Sequence, residues 1–165
     1  MVVIGIDPGT AITGYGIVEE DRDGNLRALA YGVIETSSSL VLPARLLVLY
    51  RKLSEILLLH QPGSAAVEKL FFQRNVRTAM TVGQARGVVL LAIEEHGIPL
   101  GEYTPLEVKQ AVVGYGGADK RQIQMMVKAL LGLTDIPKPD DAADALAIAI
   151  SHLHNFRYQQ MLKER

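Results

Sequence analysis

One stretch limits the fold more than any other. After Pro139 the chain reads Asp140-Asp141-Ala142-Ala143-Asp144-Ala145-Leu146-Ala147-Ile148-Ala149-Ile150, almost wholly apolar beyond its start. A helix that is apolar all round has to be buried on most sides, so the fold must enclose this one. The pattern predicts a helix from near Pro139 to about Asn155, followed by a polar tail. With 165 residues, the chain suits one domain with a proper core. We expect residues 1–155 to form that domain and 156–165 to be the C-terminal tail.

The rest of the sequence supplies what could enclose the helix. Val2-Val3-Ile4-Gly5-Ile6, Tyr15 to Val18 and Ala28 to Ile34 read as three strands of an antiparallel meander, with a turn at Asp21-Arg22-Asp23-Gly24-Asn25. After Pro43 the period changes. Leu46, Leu49, Leu53, Ile56 and Leu57 predict a helix over 43–60. Ala65-Ala66-Val67 resumes a strand, Val76 to Glu95 is a long helix, and Ile98 to Tyr103 is a fifth strand. Thr104-Pro105-Leu106-Glu107 then starts a helix with a capping box, and another helix follows the loop Gly114-Tyr115-Gly116-Gly117. Strands four and five are each entered from a helix, which favours parallel pairing. The expected architecture is α/β, a mixed five-stranded sheet flanked by helices.

Composition excludes several function classes. There is no cysteine, hence no disulfide framework, thiol nucleophile or cysteine-ligated metal. The N-terminus reaches Asp7 without a basic segment and an apolar one, so no secretory signal is expected and the default location is cytoplasmic. The longest wholly apolar run, Gly87 to Ile93, is 7 residues, far below the roughly 18 of a membrane span, so no membrane partner is expected. Overall charge is near zero, with 17 basic and 18 acidic residues, but it is unevenly spread: residues 1–44 carry net −4, 45–128 net +4 and 129–165 net −1. Lys69, Arg74, Arg77 and Arg86 have no acid among them from 69 to 93, and Lys120-Arg121 follow the glycine-rich loop. Phosphate contacts and a solvated helix face are the two readings of this midsection.

Four carboxylates carry the chemistry. Asp7 and Glu68 fall at the carboxyl ends of the first and fourth strands; if those strands are parallel neighbours, both acids open at one edge of the sheet, where ligands of such sheets gather. Asp141 and Asp144, three residues apart, lie about 60° apart on one helix face, whereas Asp140 is rotated about 100° from Asp141. Each has a plainer reading: an Asx-turn for Asp7, an ion pair with Lys69 for Glu68, and a helix cap for Asp140 or Asp141. Asp144 resists it, because an unpaired charge in an apolar helix costs several kcal/mol. A cation is a sufficient partner for Asp7, Glu68, Asp141 and Asp144. With oxygen ligands alone it should be hard, Mg²⁺ or Mn²⁺ before zinc. Four carboxylates can hold two ions, and two metals about 3.5–4 Å apart serve in-line displacement at phosphorus.

These residues also carry a resemblance. Gly5-Ile6-Asp7-Pro8-Gly9, Glu68 followed by Phe71, Gly83-Gln84-Ala85-Arg86-Gly87, Val108-Lys109-Gln110, Asp119-Lys120 and Asp141-Ala142-Ala143-Asp144-Ala145-Leu146-Ala147 resemble the RuvC family of bacterial Holliday junction resolvases, from Val2 to about His154. The resemblance implies a ribonuclease H-like fold, a homodimer, and Mg²⁺-dependent nicking of two opposed strands of a four-way DNA junction beside the branch-migration proteins RuvA and RuvB. It implies that Asp7, Glu68, Asp141 and Asp144 are catalytic metal ligands. Lys109 and Lys120 are then the basic residues near the scissile phosphate, and Phe71 the aromatic that stacks on a base. Asp140 has no counterpart and is left as a cap.

Physical reasoning adds further expectations. An aromatic beside basic residues can stack on unpaired bases for about 1–3 kcal/mol each. Phe71 and Phe72 are both candidates, one of the two belonging to the core, with Arg74, Arg77, Lys120 and Arg121 as phosphate contacts beside Lys109, which the resemblance implies. Ala79, Gly83 and Gly87 form a stripe suited either to a dimer seam or to packing on the sheet, and a two-fold dimer suits a junction of approximate two-fold symmetry. His60, His96, His152 and His154 are read as structural: the first two end helices, and the last two point to different faces. An ATPase of the actin and sugar-kinase group would need a second such domain, and a P-loop is excluded because Tyr15 follows Gly14. A nuclease acting on RNA–DNA hybrid and a non-catalytic junction-binding module remain as alternatives, since fold alone does not fix function.

Overall fold

The computed structural model describes residues 1–69 and 76–163. Its five strands are β1 (Val2–Asp7), β2 (Ile12–Glu20), β3 (Leu26–Glu35), β4 (Ser64–Glu68) and β5 (Leu100–Tyr103). The helices are α1 (Leu42–His60), α2 (Val76–Glu95), α3 (Pro105–Val113), α4 (Lys120–Leu130) and α5 (Asp140–Lys163). The strands form one mixed sheet in the order β3-β2-β1-β4-β5. β1–β2 and β2–β3 are antiparallel, and β1–β4 and β4–β5 are parallel. At the β2–β3 turn the Asp21 carboxylate accepts the backbone N–H groups of Asp23 and Asn25, at 2.8 and 2.9 Å, as the local Asx chemistry predicts.

Alternation along the strands sorts the core into two layers. Ile4 and Ile6 of β1, with Ala65 and Val67 of β4, pack against Leu49, Leu53 and Leu57 of α1 and Ala85, Val89 and Ile93 of α2. On the opposite face Val3, Val18 and Ala66 meet Leu146, Ile150 and Leu153 of α5, which α3 and α4 cover through Val108, Val112 and Val127. The apolar helix is thus enclosed between the sheet and two shorter helices, and Ala142 to Ile150 are buried apart from Asp144.

Small residues on both sides set how near α5 lies to the sheet. A Cβ on Gly5 would stand 2.1 Å from the Ala145 carbonyl oxygen, and one on Gly14 would stand 2.0 Å from that of Asp141. The glycines of β1 and β2 therefore complement the alanines of α5, and no larger pair would allow this approach. The helix also runs further than its apolar pattern predicts, to Lys163 instead of about Asn155. The pattern stops where burial stops, but a helix needs no apolar face once its upstream turns are anchored.

Candidate active site

Parallel pairing of β1 and β4 puts Ile6 opposite Val67, so Asp7 and Glu68 leave adjacent strands at the same edge. The first turns of α5 cross the sheet over that edge because Gly14 sits directly under Asp141. Two capping boxes bring in the basic residues. Thr104 accepts from Glu107 N–H at 3.1 Å and its own N–H donates to the Glu107 carboxylate at 2.7 Å, starting α3, which carries Lys109. Asp119 and Gln122 do the same for α4, which opens with Lys120. The result is a cleft of about 220 Å³ lined by Asp7, Glu68, Lys109, Lys120 and Asp144, with Val108, Ile123, Ala147 and Ile148 as its apolar part.

Its electrostatics are those of an acid cluster short of positive charge. Burial, then the charges of Asp144, Glu68 and Asp141, push the Asp7 carboxyl from its ordinary 3.8 to about 7, with Lys120 opposing. Burial and Asp144 hold Glu68 above its usual range while Lys109 pulls it down. Asp144 is also raised, first by burial, with Lys120 countering and Asp141 and Asp140 adding to the rise. Asp141 is not among the residues that line the cleft and acts on it through its charge.

Lys120 is the nearest internal counter-ion, its Nζ 3.4 Å from Asp144 Oδ2 and 3.1 Å from Asp140 Oδ2. Burial lowers its ammonium, but the two carboxylates outweigh that and hold it above its ordinary value. Asp140 departs from the expected cap. It is the first residue of α5, and its carboxylate engages Lys120 and, at 3.1 Å, the Gln124 amide. Arg86 follows neither reading of the basic midsection: its Nε donates to the Glu68 carbonyl oxygen at 3.3 Å and its guanidinium pairs with Glu102, tying the end of β4 to α2 and β5. Nothing in the local sequence separates that use of an arginine from a solvent-facing one.

The other candidates lie elsewhere. Arg121 lines a separate hollow with Met125 and Lys128. Phe71, Phe72, Arg74 and the Arg77 side chain lie outside the described residues. His152 and His154 are both away from the cleft, the latter contacting the Ala111 carbonyl oxygen at 2.9 Å. On α2 the residues turned to the sheet are Ala85, Val89, Ala92 and Ile93. Of the stripe of small residues, Gly87 is exposed and Ala79 and Gly83 are half-buried, and Met80 and Leu91 on the same helix are exposed.

No three acid or histidine side chains among the described residues already form a metal cage. The donor chemistry nevertheless fits a hard cation: three raised carboxylates, no soft ligand and too little internal positive charge. Mg²⁺ usually takes one or two carboxylates and completes its shell with water and substrate phosphate, so a preformed cage is not required. Asp7, Glu68 and Asp144 line the space such an ion would occupy.

A five-stranded sheet of this order with acids at the β1 and β4 edge and on the crossing helix defines a ribonuclease H-like fold with an acidic cleft. The family model described as Crossover junction endodeoxyribonuclease RuvC matches residues 3–152. The protein of that name from Syntrophomonas wolfei is 52% identical over 163 residues, 99% of this chain and 94% of its own length. The Thermus thermophilus RuvC structure in complex with Holliday junction substrate superposes with a TM-score of 0.92 at 40% identity, covering 96% of each chain. The yeast mitochondrial Holliday junction resolvase shares the fold, with a TM-score of 0.61 at 18% identity over 98% of this chain and 85% of its own. The chain belongs to the RuvC family of crossover junction endodeoxyribonucleases.

Proposed function

We propose that this protein is a structure-selective endonuclease that resolves four-way DNA junctions by two symmetric nicks, using water as the nucleophile. The observation that carries the reading is the gathering of Asp7, Glu68 and Asp144 in one cleft with Lys109 and Lys120 on its wall. An acid cluster this poorly neutralised repels a phosphate backbone unless cations enter with it. Asp7, Glu68, Asp141 and Asp144 would hold two Mg²⁺ ions, or Mn²⁺ in their place, which would supply activation of the water and charge compensation at the leaving oxygen. Lys109 and Lys120 orient the scissile phosphate and offset the charge that develops on it. Phe71 and Phe72 supply base stacking, and Arg74, Arg77 and Arg121 hold the backbone.

Residues 1–155 form the nuclease unit and 156–165 its tail. The protein acts in the cytoplasm beside RuvA and RuvB. It works as a homodimer, which the exposed Met80, Gly87 and Leu91 face of α2 supports. Two identical sites related by a two-fold axis can then cut symmetry-related strands. Among the described residues no helix is long and apolar enough to cross a membrane.

The test is cleavage of a labelled four-way junction beside linear duplex and RNA–DNA hybrid, with Mg²⁺, Mn²⁺ or Ca²⁺, and with Asp7→Asn, Glu68→Gln, Asp141→Asn and Asp144→Asn as variants. Symmetric nicks confined to the junction, lost in all four variants while junction binding persists, are expected. Cleavage of the hybrid alone replaces the substrate. Binding without cutting under every metal replaces the enzyme with a junction-binding module.

A further inference from the structure

Away from the cleft, on the same helix as Asp144, lies a buried titratable group that the proposed chemistry does not use. His152 of α5 is 7% exposed, and Ser64, at the start of β4, is 6% exposed. The His152 Nε2 is 2.7 Å from Ser64 Oγ, and its Nδ1 is 2.8 Å from the Tyr103 hydroxyl. Tyr103 and His152 meet edge to face, with ring centroids 5.6 Å apart.

The direction of these bonds follows from counting protons. Ser64 has one O–H, and it donates to the Pro99 carbonyl oxygen at 3.1 Å. With that O–H on Pro99, Ser64 Oγ accepts from His152 Nε2–H, the assignment in which the Ser64, His152 and Tyr103 donors all find acceptors. Burial holds His152 below its ordinary pKa, so the ring is neutral, and its bare Nδ1 accepts the Tyr103 O–H. In this arrangement each donor of the chain has an acceptor, as buried networks that fix geometry require. The backbone keeps room for the ring: a Cβ on Gly101 would stand 2.5 Å from His152 Nδ1.

The three residues sit where they can act on the cleft. Tyr103 is the last residue of β5 and pairs in register with Glu68, and its carbonyl accepts the Lys69 N–H at 2.7 Å. Thr104, which caps the helix bearing Lys109, comes next. His152 lies on the same rigid helix as Asp144, about 12 Å along its axis. His152 thus grips α5 to both ends of the strand pair that carries Glu68.

We propose that the Tyr103–His152–Ser64 chain is a positioning device that fixes α5 against β4 and β5 and thereby sets the separation of Asp144 from Glu68. The inference rests on the proposed role of those two carboxylates as cation ligands. His152, Tyr103 and Ser64 are positioning residues, and none touches the reacting atoms.

The experiment combines three readouts on the full chain: ¹⁵N resonances of the His152 ring, Mn²⁺ affinity of the metal-free protein by calorimetry, and kcat and KM for junction cleavage. The wild type should show a protonated Nε2 and a bare Nδ1. Tyr103→Phe, which removes one hydroxyl and keeps the ring, should weaken Mn²⁺ binding and lower kcat by roughly tenfold or more, because small misplacements of reacting groups are costly. KM should change by less than about twofold, since the phosphate contacts are elsewhere. Gly101→Ala should give the same split by displacing the ring, and His152→Gln, which offers both a donor and an acceptor, should retain more activity than His152→Ala. Unchanged Mn²⁺ affinity and kcat in both Tyr103→Phe and Gly101→Ala overturn the proposal, as does a wild-type ring protonated on Nδ1. A wild type that binds Mn²⁺ with the expected ring signature and cuts no junction overturns the proposed function alone.

Discussion

Replacing Asp7 with asparagine should abolish cleavage and yet make the metal-free protein more stable above neutral pH. The Asp7 carboxyl is raised from 3.8 to about 7, chiefly by burial and by the charges of Asp144, Glu68 and Asp141. For an acid whose folded pKa is raised, stability is fully present below the unfolded value near 3.8 and is lost as pH climbs through the folded value near 7. At pH 8 the ionised Asp7 therefore costs the fold up to about 4 kcal/mol, at about 1.4 kcal/mol per pH unit. Glu68 and Asp144 share the strain, so relief by one neutral side chain should amount to about 2–4 kcal/mol. Asparagine keeps the shape and removes the charge. For a domain of this size, with about 2–4 °C per kcal/mol, the melting temperature should rise by roughly 5–15 °C at pH 8 in EDTA.

Scanning calorimetry at pH 5 and pH 8, with and without Mg²⁺, reads the effect. The gain should shrink at pH 5, where the wild-type carboxyl is already protonated. Saturating Mg²⁺ at pH 8 should stabilise the wild type more than the variant, because a ligand that binds only the folded state adds stability in proportion to its affinity. A variant that melts lower than the wild type by the same margin at both pH values would refute the reasoning: Asp7 would then be a structural acid, and the cleft would carry no electrostatic strain.

Two further outcomes follow from the packing around the cleft. Gly14→Ala places a Cβ 2.0 Å from the Asp141 carbonyl oxygen, so α5 must lift from β2; urea denaturation should show a loss of at least about 1–3 kcal/mol, with cleavage falling further than stability alone accounts for. Thr104→Ala removes the capping box of α3 and should cost about 1 kcal/mol, read as a lower urea midpoint at unchanged slope, with slower cutting because Lys109 rides on that helix.

How much of this was legible in the sequence depends on how local each cause is. Asp7 and Glu68 stood out because each ends a short apolar run, and the parallel pairing that brings them together follows from the helix preceding each later strand. Asp144 stood out because its neighbours are alanine, leucine and isoleucine. The roles of Arg86 and Asp140 are not legible for the opposite reason. An arginine that bridges Glu68 and Glu102, and an aspartate that holds Lys120, look like any exposed charges until segments far apart in the chain are brought together. The end of α5 lies beyond the expected Asn155 because apolar periodicity reports burial, and Phe156 and Tyr158 are exposed within the helix.

The deepest determinant is also the least local. Gly5 and Gly14 lie in strands whose composition says only that glycine is tolerated, and the alanines of α5 say only that the helix is slim. Together they let the helix backbone rest on the sheet, with the Asp141 carbonyl over Gly14 and the Ala145 carbonyl over Gly5. That approach puts Asp144 into the same cleft as Asp7 and Glu68, where burial raises all three. Close packing, which stabilises the fold, and charge crowding, which strains it, therefore have one cause. A substitution that relaxes the packing should relax the strain as well, and the cation site should weaken with both.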